Sequence, residues 1–244
     1  MRSDASARVY RPIAVALTFA LATSCFLPKD HETGTTGSGN EQPEYDVDAL
    51  GVPRFVTTSY IDLAHVTRVS LFRSHDGHDY SDDVESCRSM KHYFKAPPAA
   101  ATVYAPVTGT VRMTMEETTW GTQVQITSAD LPSFTFVIFH VALASPLAAG
   151  DGVTAGQALG THIGDQTYSD IAVEVNGPAR QRRLVSYFDT LTDAAFEPYV
   201  ARGITSRSQV IITREQRDAN PLSCVNYQFT NPEADLYPVD VALF

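Results

Sequence analysis

Residues 110–139 read TVRMTMEETTWGTQVQITSADLPSFTFVIF. Three short runs, 110–115, 122–127 and 134–139, carry Val, Ile, Phe and Thr, and several alternate apolar with polar positions. That period of two belongs to a half-buried strand, not to a helix. Gly121 and Pro132 punctuate the runs as turns. Working outward, further β-type runs fall at 68–72, 102–104, 171–175 and 209–213. Between them lie turn residues such as Pro106, Gly109, Gly150, Gly152, Gly156, Gly160 and Gly164. One helix is expected over about 190–202 (TLTDAAFEPYVAR), with Thr190 or Thr192 as N-cap and Gly203 just past its end. The reading is a mostly-β domain, a closed barrel or a sandwich, with a short helical and irregular C-terminal appendage.

The 244 residues are 43% hydrophobic, enough to bury a core. Lys and Arg number 18 against 28 Asp and Glu, a net charge of −10. That balance excludes a nucleic-acid binder, which must neutralise phosphates, and a surface held on anionic lipid by charge alone. Residues 1–24 carry Arg2, Arg8 and Arg11 before an apolar run at 13–22, too short to span a bilayer but suited to a signal peptide. The run ends LATSC (21–25), which resembles a bacterial lipobox with Cys25 as the lipidation site; the alternative is an ordinary cleaved signal. Membrane contact is then expected only through that lipid, on an exported, periplasm-facing or cell-surface lipoprotein. Residues 25–49, rich in Gly, Ser, Thr and acids, read as a flexible tether. In an exported chain Cys87 and Cys224 are expected to form a disulfide that ties the C-terminal tail to the domain's first half, against the alternative of two buried thiols.

The polar window SHDGHDYSDD (74–83) gathers imidazoles and carboxylates. His75 and Asp79 offer nitrogen and oxygen donors four positions apart around Gly77, a pattern suited to Zn²⁺. Two ligands do not hold a catalytic zinc, and the same window also reads as a solvated acidic turn over Tyr80. The insert CRSMKHYF (87–94) offers Arg88, Lys91, His92 and aromatic rings to a glycan or acidic peptide, or covers the core with them. RQRR (180–183) reads as a solvated turn in so acidic a chain. No nucleophile elbow, P-loop or dinucleotide-binding glycine pattern is present.

HDGHD (75–79) is similar to the H-x-G-x-D motif of the LytM/lysostaphin-type zinc peptidases, which cut peptides of peptidoglycan. In order along the chain, VYAPVTGTV (103–111) resembles that family's V-x-A-P-x-x-G-x-V turn, GTQVQI (121–126) its G-x-x-V-x-I strand, and FHVAL (139–143) its Y-x-H-L segment with one residue of different spacing. GDGVTAGQALG (150–160) resembles G-D-x-V-x-x-G-Q-x-I-G, and DIAVEV (170–175) falls where the family has H-x-H-F-E-V. The resemblance implies a LytM/lysostaphin-like β-sheet core of barrel-sandwich hybrid type over 50–189, with 190–244 as a helix and extension packed on it. It implies His75 and Asp79 as metal ligands and His140 with Asp170 at the catalytic positions. Asp170 and Ala172 replace the two histidines of H-x-H, however, and a methyl cannot coordinate zinc. His162, and less directly His78 and His92, are the candidates to fill in.

The expectation is therefore a degenerate member, with no cofactor or an incomplete zinc site, whose partner is peptidoglycan or an envelope hydrolase. The second reading is an active zinc metalloendopeptidase with a rearranged ligand set. The third is an envelope glycan-binding β module unrelated to peptidases.

Overall fold

The computed structural model describes residues 42–97, 99–164 and 168–231 and the backbone of 239–240. Signal peptide, Cys25 and most of the tether lie outside them. In chain order the strands are β1 Arg68–Val69, β2 His92–Lys95, β3 Thr102–Tyr104, β4 Gly109–Glu116, β5 Thr122–Ser128, β6 Phe134–Leu143 and β7 Gly152–Val153. They continue as β8 Ala158–His162, β9 Ser169–Asn176, β10 Arg182–Val185, β11 Cys224–Val225, β12 Gln228–Phe229 and β13 Val239–Asp240. The helices are short: α1 Val47–Leu50, α2 Tyr187–Thr190, α3 Asp193–Val200 and α4 Arg214–Ala219. No described helix is long and apolar enough to cross a membrane.

Every named strand except the small β11–β12 hairpin belongs to one antiparallel sheet, ordered β13-β1-β2-β9-β6-β5-β4-β7, with β10 beside β9 and β8 joining β6 to β3. The chain is thus mostly β, as its alternation predicts. Ile171, Val173 and Val175 of β9, Phe134, Phe136 and Ile138 of β6, and Val124 and Ile126 of β5 all enter the main core. The opposite face buries a smaller cluster of Phe72, Met90, Val137, Phe139, Ala172 and Leu184. Each fully buried aromatic or aliphatic side chain contributes roughly 1.5–3 kcal/mol.

Two glycines of the ordered motif set are explained by close approach. A Cβ on Gly109 would stand 2.1 Å from the Thr127 carbonyl oxygen, and one on Gly160 2.0 Å from that of Ala142. Neither strand could pair with its neighbour if a side chain were present.

β6 is bipartite. Its residues 134–138 pair with β9, and its last three, 141–143, pair with β8. The switch falls at His140, whose φ is +60°, and the pairing with β5 shifts register at the same place. This bulge interrupts strict alternation, so the adjacent Phe139 and His140 both reach the smaller face.

The helix expected within 190–202 is α3, Asp193–Val200, with Thr192 as its N-cap: the Thr192 hydroxyl accepts the Ala195 N–H at 3.2 Å. Two local expectations change. The run 209–213 is not a strand, because Ser206 and Gln209 form a capping box that winds Arg207–Val210 into a 3-10 turn. Only Ile211 makes an isolated bridge, to Phe72. Of the residues read as tether, 42–49 lie on the domain. Tyr45 donates its N–H to the Asn176 carbonyl at 2.8 Å and its ring meets Phe134 edge-on, while Asp48 pairs with Arg183 at 2.6 Å. Polar composition signalled a tether there; the sheet's edge groups supply partners that composition does not show.

The C-terminal extension is fastened to the 73–91 segment. Cys87 and Cys224 are disulfide-bonded, with Cα atoms 5.6 Å apart across 137 residues. Glu85 accepts both Arg73 (2.7 Å, two bonds) and Arg88 (2.7 Å), and Arg88 reaches Asp218 of α4 at 2.9 Å.

Candidate functional site

On β9, Asp170, Ala172 and Glu174 share the face opposite the main core, as the period of two requires. β2 lies beside its start, with Tyr93 opposite Asp170, and β6 runs along its other edge. The loop before β2 contributes Lys91. A buried chain of alternating charge results. Lys91 Nζ donates to Asp170 Oδ2 at 2.6 Å, and both side chains are at most 2% exposed. Asp170 Oδ1 lies 3.2 Å from His140 Nε2, an ion-pair contact without hydrogen-bond alignment. His140 Nδ1 lies 3.0 Å from Glu117 and 3.1 Å from the Trp120 carbonyl.

The Lys91 ammonium is also ringed by aromatic faces, 4.1 Å from the Phe139 centroid and 5.0 Å from those of Tyr80 and Tyr93. Each is within cation–π range. Its remaining neighbour is His78 Nε2 at 3.4 Å. His78 Nδ1 lies 2.9 Å from the Asp79 carbonyl, which places the ring proton there and leaves the Nε2 lone pair toward the ammonium. Burial opposes charge on Lys91, yet the Asp170 carboxylate outweighs it and holds the ammonium above its ordinary range. His140 follows the same pattern. Burial opposes its protonation, but the Glu117 hydrogen bond and the Asp170 charge raise it above the usual imidazole value.

The other expected site residues are placed as follows. Asp79 Oδ1 accepts from Ser81 Oγ and from the Arg88 N–H at 3.2 Å, and its own N–H donates to the Tyr227 carbonyl at 2.9 Å. His75 Nδ1 is buried without a hydrogen-bond partner among the described residues. His162 is fully buried in β8, its backbone bonded to Ala99 and Ala101. Ala172 is packed in the smaller apolar cluster. His140 and Asp170 therefore meet, whereas the donor set does not fit zinc. An ammonium, not a lone pair, confronts the Asp170 carboxylate, Asp79 is bound by donors of its own loop, and Ala172 presents a methyl. Among the described residues no group of three or more His, Cys, Asp and Glu side chains is arranged to hold a metal ion.

His92 is a core histidine. Nδ1 donates to the Ser70 carbonyl at 3.0 Å, Nε2 faces Ser186 Oγ at 2.8 Å, and the ring lies between Phe72 and Phe188. Burial pushes its pKa down to about 4. The unfolded chain, with an imidazole near 6.5, binds the proton that the folded state refuses. Stability should therefore rise with pH from about 4 to about 6.5, by about 3 kcal/mol for this group. Over that window His140, whose folded pKa is raised, is protonated in both states; its contribution is lost only as pH climbs above the ordinary value. Urea midpoints at both ends of the window, compared between the parent and His92→Gln, isolate the effect. An equal slope in the two proteins would refute it.

Sequence reasoning named Lys91 only as a contact for a glycan or acidic peptide, not as the partner of Asp170, and did not name Glu117. Both stand in segments without motif character, and their partners are 79 and 23 positions away. The one available signal was the lone Lys among aromatic residues in CRSMKHYF.

No family model and no curated protein matches the chain. It is similar to several solved structures. Csd3 of Helicobacter pylori matches at 18% identity and a TM-score of 0.44, covering 58% of this chain and 34% of that one. The catalytic domain of the prophage-encoded M23 protein EnpA from Enterococcus faecalis matches at 19% identity and 0.35, covering 54% and 92%. Lysostaphin matches at 16% identity and 0.33, covering 50% and 51%. The chain thus spans about a third of the length of Csd3 and half that of lysostaphin.

Proposed function

We propose that this is an exported cell-envelope protein whose LytM-like domain is non-catalytic and binds peptidoglycan peptides, either directly or while docking an envelope hydrolase. The observation that carries the reading is the Lys91 ammonium, 2.6 Å from Asp170 and enclosed by three rings at the centre of the motif-bearing face. A fixed internal cation balances the carboxylate but cannot activate water as a metal does, because an ammonium offers no open coordination position. The ordered motifs of 75–175 supply the link to peptidoglycan, and the disulfide supports an oxidising compartment.

The test uses the purified chain incubated with zinc and with isolated peptidoglycan. Co-sedimentation with peptidoglycan, substoichiometric zinc and intact cross-bridges are expected. One zinc per chain, lost together with cross-bridge cleavage in His75→Ala, would overturn the non-catalytic reading. Failure to sediment would overturn the ligand.

A further inference from the structure

The Lys91–Asp170 pair brings a nitrogen nucleophile, an acyl carbon and two proton-handling imidazoles into one enclosed space. Nζ stands 2.6 Å from Oδ2, with both side chains at most 2% exposed. The rings of Phe139, Tyr80 and Tyr93 close around the nitrogen at 4.1, 5.0 and 5.0 Å. From one side His78 turns its lone-pair nitrogen, Nε2, toward Nζ at 3.4 Å. From the other, His140 Nε2 faces Asp170 Oδ1 at 3.2 Å, and Oδ1 has no aligned hydrogen bond of its own. The Arg73–Glu85 and Arg88–Glu85 pairs differ in kind, because a guanidinium is not a nucleophile.

We propose that this pair matures into an amide, a covalent cross-link between the Lys91 nitrogen and the Asp170 side chain that the folded chain forms by itself. Folding fixes amine against carboxyl, which replaces a rare encounter in solution with a permanent one. The ion pair is the state of the newly folded chain. One proton first crosses the 2.6 Å hydrogen bond to Oδ2 and leaves a neutral amine and acid, a form that enclosure among apolar rings brings within reach. The Asp170 charge holds the Lys91 proton against release to water, but this transfer keeps the proton inside the pair. Nζ then bonds to Cγ, and negative charge develops on Oδ1, where the His140 imidazolium stands to stabilise it. The bonded nitrogen sheds a second proton, and the His78 lone pair relays it to Oδ2. The Cγ–Oδ2 bond breaks, Oδ2 departs as water and the carbonyl reforms at Oδ1. An ammonium and a carboxylate have become an amide and one water, and no oxidant, reductant or further reactant is consumed.

The bond joins the loop before β2 to β9 across 79 residues, just after Cys87, so this segment is held covalently to the sheet as well as to the C-terminal hairpin. The inference goes beyond the proposed function, since the cross-link needs no peptidoglycan ligand to form.

The test is peptide mapping by mass spectrometry of the full chain, reduced, denatured and digested with trypsin. An amide survives denaturant and blocks cleavage after Lys91; an ion pair does neither. The expected product is a branched species that joins Ser89–Lys95 to the peptide carrying Asp170 and weighs one water less than the two together. Lys91→Met should abolish it. A pulse of isotope-labelled amino acids during expression times the reaction, and His140→Gln, with unchanged far-ultraviolet dichroism, should form the branched species about hundredfold more slowly. Complete cleavage after Lys91 in the parent, in fresh and aged preparations alike, would overturn the proposal without recourse to any variant. A branched species that persists in Lys91→Met, or an unchanged rate in His140→Gln, would overturn the assigned bond and the assigned step respectively. Co-sedimentation with peptidoglycan is scored separately, so either claim can fail alone.

Discussion

Lys91→Ala should destabilise the domain by about 3–5 kcal/mol, the usual cost of removing one member of a buried ion pair. Asp170 would remain almost fully buried, with His140 as its only nearby charge of opposite sign among the contacts described. Three aromatic faces would also lose the cation they surround, and the vacated space would be lined by Phe139, Tyr80 and Tyr93. Lys91→Arg should not rescue it, because a planar guanidinium does not fit a space shaped for a compact ammonium, with a ring centroid at 4.1 Å. Combining Lys91→Met with Asp170→Asn removes the orphaned charge and should return most of the loss. Urea denaturation of the single and double variants gives the coupling energy directly. A cost below about 1 kcal/mol for Lys91→Ala would mean that water or another group already serves Asp170, and the internal-cation argument would fail.

Removing the disulfide, by Cys87→Ala with Cys224→Ala, should have a comparable effect. Closing a loop of 137 residues constrains the unfolded chain by about 5 kcal/mol in the chain-entropy model, an upper figure that residual structure reduces. The loss should be selective in its consequences. Arg88–Asp218, the hydrogen bonds of Arg73 to the Ile212 carbonyl and of Arg217 to the Arg73 carbonyl, and the Asp79–Tyr227 hydrogen bond still join the same two segments, so the extension should stay docked on the native sheet. A lower melting temperature with unchanged far-ultraviolet dichroism is expected, and the parent under reductant should match the variant. An unchanged melting temperature would show that the bridge closes a loop already closed by those contacts.

Much of the architecture was legible in the residues. Alternation in DIAVEV assigned Ile171, Val173 and Val175 to one face and Asp170, Ala172 and Glu174 to the other, and the sheet places them so. Thr192 was a recognisable helix cap, and the two cysteines pair. The run 209–213 misled because β-branched composition there reflects burial: Val210 is buried in a turn and Ile212 beside the single bridge of Ile211, not in a ladder. Of RQRR, Arg180 and Gln181 are exposed at a turn as read, whereas Arg182 and Arg183 belong to β10, whose pairing with β9 sets them beside Glu174 and Asp48.

The sequence by itself determined the strands β3, β4, β5, β6 and β9, the glycine turns near them and the face on which the alternating side chains of β9 lie. These are properties of a few consecutive residues, set by the period of the backbone and by glycines where chains touch. What only the tertiary structure decided is the content of the site: that His140, at a bulge, meets Asp170, and that Lys91, from a loop 79 positions earlier, supplies the opposing charge. A buried charge takes its partner from whatever strand register brings near, and register is settled by the whole sheet at once.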